Sequence, residues 1–170
     1  MNPKNTQQLF QDYPDIFQQK DLPMTQSLMC FGFECGDGWF DLIDTLCNKI
    51  KNAVEYHNEN VDRFKDKEDR PEWAPTAYIS VQAVQVKEKY GGLRFYVDGN
   101  NDYIRGLISM AESMSYKICE ECGAPGKPND RGWISTLCDR HREERKQFFT
   151  KSLQNSLQLK LPFFEEGSDE

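Results

Sequence analysis

Apolar positions recur along this chain at two different periods. Trp39, Ile43, Leu46, Cys47, Ile50 and Val54 fall at spacings of three and four, which predicts an amphipathic helix over residues 39–57. Ile104, Leu107, Ile108, Ala111, Met114 and Ile118 repeat that stripe over residues 101–118, where Asn100 or Asn101 can cap the start. Between these helices the period drops to two. Ile79, Val81 and Ala83 alternate, the phase slips to Val84 and Val86, and Leu93, Phe95 and Val97 alternate again. With Gly91 and Gly92 between the runs, residues 78–97 predict a β-hairpin, and the slip predicts a bulge or burial on both faces.

The ends of the chain are patterned less cleanly. Leu9, Phe10, Tyr13, Ile16 and Phe17 predict a helical arm over residues 6–20, interrupted near Pro14. Residues 58–75 are dense in charge and hold Pro71 and Pro75, the signature of a solvated loop. A last helix is expected from about Cys138 through Arg142, Phe149 and Leu153, followed by an acidic tail over 161–170. The fold class is therefore α+β. Amphipathic helices pack on a small antiparallel β-hairpin or sheet in residues 1–118, with a zinc module and C-terminal helix in 119–160.

Composition narrows the partners. The chain has 170 residues, enough for one compact domain with a small appended module. A net charge of -7 argues against a general nucleic-acid binder, which would need a basic face to meet phosphate. The first eight residues are polar and lead into no long apolar run, so neither a secretory signal nor a membrane span is expected, and the cytosol is the expected compartment. In that reducing setting the six cysteines read as ligands or buried thiols.

Cys119 and Cys122, separated by two residues and followed by Gly123, can reach one ion from a single tight turn. Fifteen residues later Cys138 and His141 supply a second pair at a helix start. The intervening turn residues suit the short hairpin that treble-clef folds place between their ligand pairs, with Trp133 expected to cover the metal. The site predicts Zn2+ held by Cys119, Cys122, Cys138 and His141. Four protein ligands leave no position for an activated water, so the ion should be structural, clamping the helix before Cys119 to the helix after Cys138. Cys30, Cys35 and Cys47 match no ligand spacing, even with His57, and read as buried thiols.

Two glycine-bearing stretches are candidate ligand sites. Gly36-Asp37-Gly38-Trp39 precedes a helix and can offer backbone donors to an anion, with Asp37 and Trp39 at hand. Lys87, Lys89, Tyr90, Arg94 and Tyr96 surround the hairpin turn, where cations and rings can hold a phosphate and a base. Ordinary packing and solvated surface are the competing readings of both. Asp37 with Glu34 is the nearest approach to an acid–base pair, and no nucleophile accompanies them.

Taken in order, Gly36-Asp37-Gly38-Trp39, the run from Val86 to Tyr96, Cys119-Glu120-Glu121-Cys122-Gly123 and Leu137-Cys138-Asp139-Arg140-His141 resemble a family of small phage and prophage proteins of unassigned function. The resemblance extends from about Leu9 to His141. It implies an accessory protein acting in a bacterial cytosol, and it carries over no catalytic residue. By analogy such a protein inhibits a host or defence protein, or sequesters a small anionic or nucleotide-like ligand, without catalysis. The aromatic arm and the apolar-acidic tail beginning at Leu161 are the docking elements of the first reading. The alternatives are a nucleic-acid-associated treble-clef protein, using Arg140, Arg142, Arg145, Lys146 and Lys151, or a small hydrolase. The pattern leaves oligomeric state open.

Overall fold

The computed structural model describes residues 1–158, and the tail over 161–170 lies outside the described residues. The fold is α+β, with four α-helices and a small mixed sheet among those residues. Two compact units divide at Cys138, twenty residues beyond the boundary expected from the pattern.

In the first unit, helix α1 (Pro3–Asp12) starts at Asn2, whose side chain accepts from the Asn5 N–H; Pro3 lacks an N–H at a position where none is needed. The chain then passes through single 3-10 turns at Gln18–Asp21 and Leu28–Phe31 into β1 (Phe33–Glu34). This arm is part of the core. Leu9 and Phe17 are fully buried, and the rings of Phe10, Phe17, Phe33 and Phe95 meet in tilted and edge contacts. That removes the arm from the candidate docking elements.

Helix α2 (Phe40–Phe64) buries Leu42, Ile43, Leu46, Cys47 and Ile50. It continues seven residues past the expected end at His57, because Asn60 and Val61 extend its buried stripe. Of the stretch expected as a solvated loop, the first part is thus helix, and Ala74 is buried as well. Strands β2 (Gln82–Lys89) and β3 (Gly92–Asp98) form the antiparallel hairpin, and the register shifts between Ala83 and Gln85, where the apolar phase slips. Strand β1 adds in parallel to β2, pairing Phe33 with Val86. Two residues are too few to show any period, so the pattern predicted only the hairpin.

Helix α3 (Asp102–Ser115) is capped by the Asn101 side chain on the Ile104 N–H. It lies along the edge of β3 that no strand covers. The Ser115 hydroxyl accepts from the Leu93 N–H at 2.8 Å and the Glu112 carboxylate from the Phe95 N–H at 3.0 Å. The edge groups that would otherwise invite another strand are satisfied by helix side chains.

After a tight turn, β4 (Lys127–Pro128) and β5 (Thr136–Leu137) form a short antiparallel pair. Asn129 ties their loop together: its Oδ1 accepts from the Ser135 N–H, and its Nδ2 donates to the Trp133 carbonyl. The second unit holds helix α4 (Asp139–Gln158), whose Glu143–Lys146 and Arg140–Glu144 pairs lie along its own surface. No helix among the described residues is long and apolar enough to cross a membrane.

Candidate metal centre

The turn that carries Cys119 and Cys122 is closed by backbone hydrogen bonds. The Gly123 N–H donates to the Cys119 carbonyl at 2.9 Å, and the Cys119 N–H to the Ala124 carbonyl at 2.7 Å. Gly123 adopts a φ of 76°, which a side chain would resist. The backbone N–H groups of Cys138, Cys122 and Glu121 point at the Cys119 sulfur. Burial raises the pKa of this thiol, and those donors oppose the rise by stabilising the thiolate. A sulfur ringed by amide donors is suited to bind metal as the anion.

Cys122 and Cys138 bring their sulfurs to 3.9 Å without forming a disulfide. Cys138 directly precedes α4, and His141 stands on that helix's first turn. The ligand atoms of Cys119, Cys122, Cys138 and His141 all lie within 4.8 Å of one another. Cys119 is buried, Cys138 and His141 are half-buried, and Cys122 is exposed. Four sulfur and nitrogen ligands at this spacing can hold one metal ion. Trp133, expected to cover the ion, is instead 80% exposed. Among the described residues no other Cys, His or carboxylate group converges in this way; Cys35 and Cys47 are buried, and the Cys30 thiol bonds the Ser27 carbonyl.

The Gly36 to Trp39 stretch, expected to face a ligand, packs against this turn. The Gly38 N–H donates to the Glu120 carbonyl at 2.7 Å, and the Gly36 N–H to the Glu120 side chain at 3.0 Å. Trp39 is fully buried and donates its indole N–H to the Ile118 carbonyl at 3.0 Å. Asp37 takes hydrogen bonds from the Asn2 N–H and the Asn5 amide, tying α1 to the same turn. Partial desolvation works against its charge, but these bonds outweigh it and lower its pKa. Asp37 and Trp39 are thereby accounted for as structural residues. Glu34 accepts from Gln85 on the sheet and forms no pair with Asp37.

The remaining candidates do share a face. Lys87 stands directly opposite Arg94 in the β2–β3 register, Gln85 opposite Tyr96, and Lys89 opposite Gly92. Since side chains alternate along a strand, Lys87, Lys89, Arg94 and Tyr96 project from the side away from Val86, Leu93 and Phe95. Lys87 lies 5.9 Å from the Tyr96 ring centre and Lys89 lies 5.5 Å from that of Tyr90. Arg94 donates to the Tyr116 hydroxyl at 2.9 Å. Among the described residues no carboxylate forms an ion pair with any of the three cations. The hairpin turn itself is Tyr90-Gly91, with φ values of 55° and 77°; Gly92 is already in β3, pressed against the Tyr116 ring.

No family model matches the chain, and neither a curated protein nor a solved structure does.

Proposed function

We propose that this is a zinc-stabilised, non-enzymatic binding protein that takes a small anionic, nucleotide-like ligand on the outer face of its hairpin. The observation that carries the reading is Lys87 opposite Arg94. Like charges directly across a strand pair repel; Glu34 of β1 flanks Lys87 on its other side, but its carboxylate accepts from Gln85 and forms no ion pair with either cation, so an incoming anion can pair with both. Tyr96 and Tyr90 add ring surface for a flat group.

Zinc is the metal best matched to three thiolates and an imidazole. The order of parts supports a treble clef: ligand turn, short hairpin β4–β5, then a helix whose start bears the second ligand pair. With all four positions taken by protein, the ion stabilises the fold and activates no water. The phage or prophage reading, with the bacterial cytosol as compartment, rests on the motif order alone. A host or defence protein as partner draws no support from the arm, whose Leu9 and Phe17 are core.

Isothermal titration of the zinc-loaded protein with AMP and ATP tests the ligand. Binding should weaken by about tenfold or more in Lys87→Ala/Lys89→Ala, which leaves the Arg94–Tyr116 contact in place. Nucleotide affinity that is absent, or unchanged in the double variant, rules the hairpin out.

A further inference from the structure

The far end of α2 forms a concave surface that shares no residue with the hairpin. One face of the helix, including Lys49, Tyr56, His57 and Asn60, meets Trp73 of the following loop and Tyr103 on the first turn of α3 around a cleft of about 700 Å3. That volume suits a small ligand. Tyr56, Trp73 and Tyr103 are 66%, 66% and 63% exposed, so three aromatic rings converge on one cleft while remaining open to solvent. Trp73 is held in place by an edge contact with Phe64 at 5.3 Å.

Lys49 is the one Lys or Arg lining the cleft, and no carboxylate is among its lining residues. Asn60 is 4% exposed, yet its Oδ1 has no hydrogen-bond donor, while its Nδ2 donates to the Tyr56 carbonyl at 2.8 Å. His57 Nε2 lies 3.0 Å from the Ala77 carbonyl, which can only accept, so in the neutral ring Nδ1 is an acceptor as well. Asn101 has its oxygen committed to the Ile104 N–H, which leaves its amide donors.

We infer that this cleft binds a neutral saccharide. A sugar ring offers C–H faces that pack on open aromatic platforms and hydroxyls that both donate and accept, as mixed amide and imidazole groups require. A phosphorylated ligand fits less well. Its phosphate group brings charge and acceptors, and the lining returns Lys49 as its one Lys or Arg side chain to meet them.

Saturation-transfer NMR on the whole zinc-loaded protein tests this, with methyl α-glucopyranoside, maltose, lactose and chitobiose as neutral probes and AMP as the charged one. At least one sugar should receive saturation, and its affinity should fall by about tenfold in Trp73→Ala and in Tyr103→Ala. Tyr103 is an exposed helix residue, so its variant should keep the fold even if the Trp73 loop loosens. Lys87→Ala/Lys89→Ala should leave the sugar signal unchanged, which separates this site from the hairpin. The inference is overturned if no sugar receives saturation, if the signal survives both ring variants, or if those variants abolish AMP binding instead.

Discussion

Gly38 faces Cys119 so closely that a β-carbon on the glycine would fall 2.1 Å from the Cys119 carbonyl oxygen. It would also fall 2.4 Å and 2.5 Å from the amide nitrogens of Gly123 and Cys122, and all three neighbours are backbone atoms that cannot swing away. The start of α2 and the metal-binding turn are therefore docked main chain to main chain. Gly38→Ala should destabilise the protein by about 3 kcal/mol and loosen its metal, because the ligand turn must shift to admit the methyl. Urea unfolding together with a competitive chelator titration measures both effects; a variant with native stability and native metal affinity contradicts the docking.

Trp39 approaches the same turn through its indole, and Trp39→Phe retains most of its apolar area while removing the donor to the Ile118 carbonyl. A loss of about 1–2 kcal/mol is expected from the buried acceptor left without a partner. Nucleotide affinity should not change, since the residue is core and not part of the hairpin face.

Metal removal should affect more than the ligand residues. A strong chelator is expected to lower the melting temperature by roughly 10 °C or more, since metal binding by a site that the unfolded chain lacks adds directly to folding stability. Elemental analysis should find one zinc per chain, lost in Cys138→Ser. Affinity should fall as the pH drops, because protons compete for the three thiolates, and a cobalt-substituted sample would report this through its thiolate absorption.

Asp37 makes a separate pH prediction. Its pKa is lowered in the folded state, so its charge stabilises the fold above the ordinary carboxylate value of 3.8, and that contribution disappears as the pH falls through the lowered value. Asp37→Asn retains an acceptor for Asn2 and Asn5 but removes the charge. At neutral pH it should cost up to about 1 kcal/mol, discounted for partial exposure, and the gap between the two proteins should close in strong acid. A gap independent of pH would show that the charge contributes nothing.

The metal ligands were legible because ligand spacing is local: Cys119 with Cys122, and Cys138 with His141, each announce a pair from a few neighbouring residues. The role of the glycines was hidden because it is not local. Trp39 and Ile118 are 79 residues apart, and nothing near Gly36 or Gly38 reveals which backbone will approach them. The end of α2 was obscured by its outward charges, which mask the single step from Val54 to Val61 that keeps the core face going. The aromatic cleft is hidden for the same reason, since Asn60 and Trp73 both lie in the charge-dense stretch 58–75.

Tyr90 is the one residue other than glycine with a positive φ among those described, at 55° in the two-residue turn Tyr90-Gly91. A turn with both central residues left-handed matches the twist of the flanking strands, and it favours Asn-Gly over a bulky first residue. In that conformation the tyrosine β-carbon crowds its own backbone by about 1–2 kcal/mol, while the ring, 69% exposed, recovers little by burial. Tyr90→Asn should therefore stabilise the protein by about 0.5–1 kcal/mol in urea unfolding. The same variant removes the ring beside Lys89, so nucleotide affinity should fall as stability rises. Opposite movement of the two would assign Tyr90 to ligand binding at the expense of stability; a gain in stability with affinity unchanged would limit the ligand contacts to Lys87, Lys89, Arg94 and Tyr96.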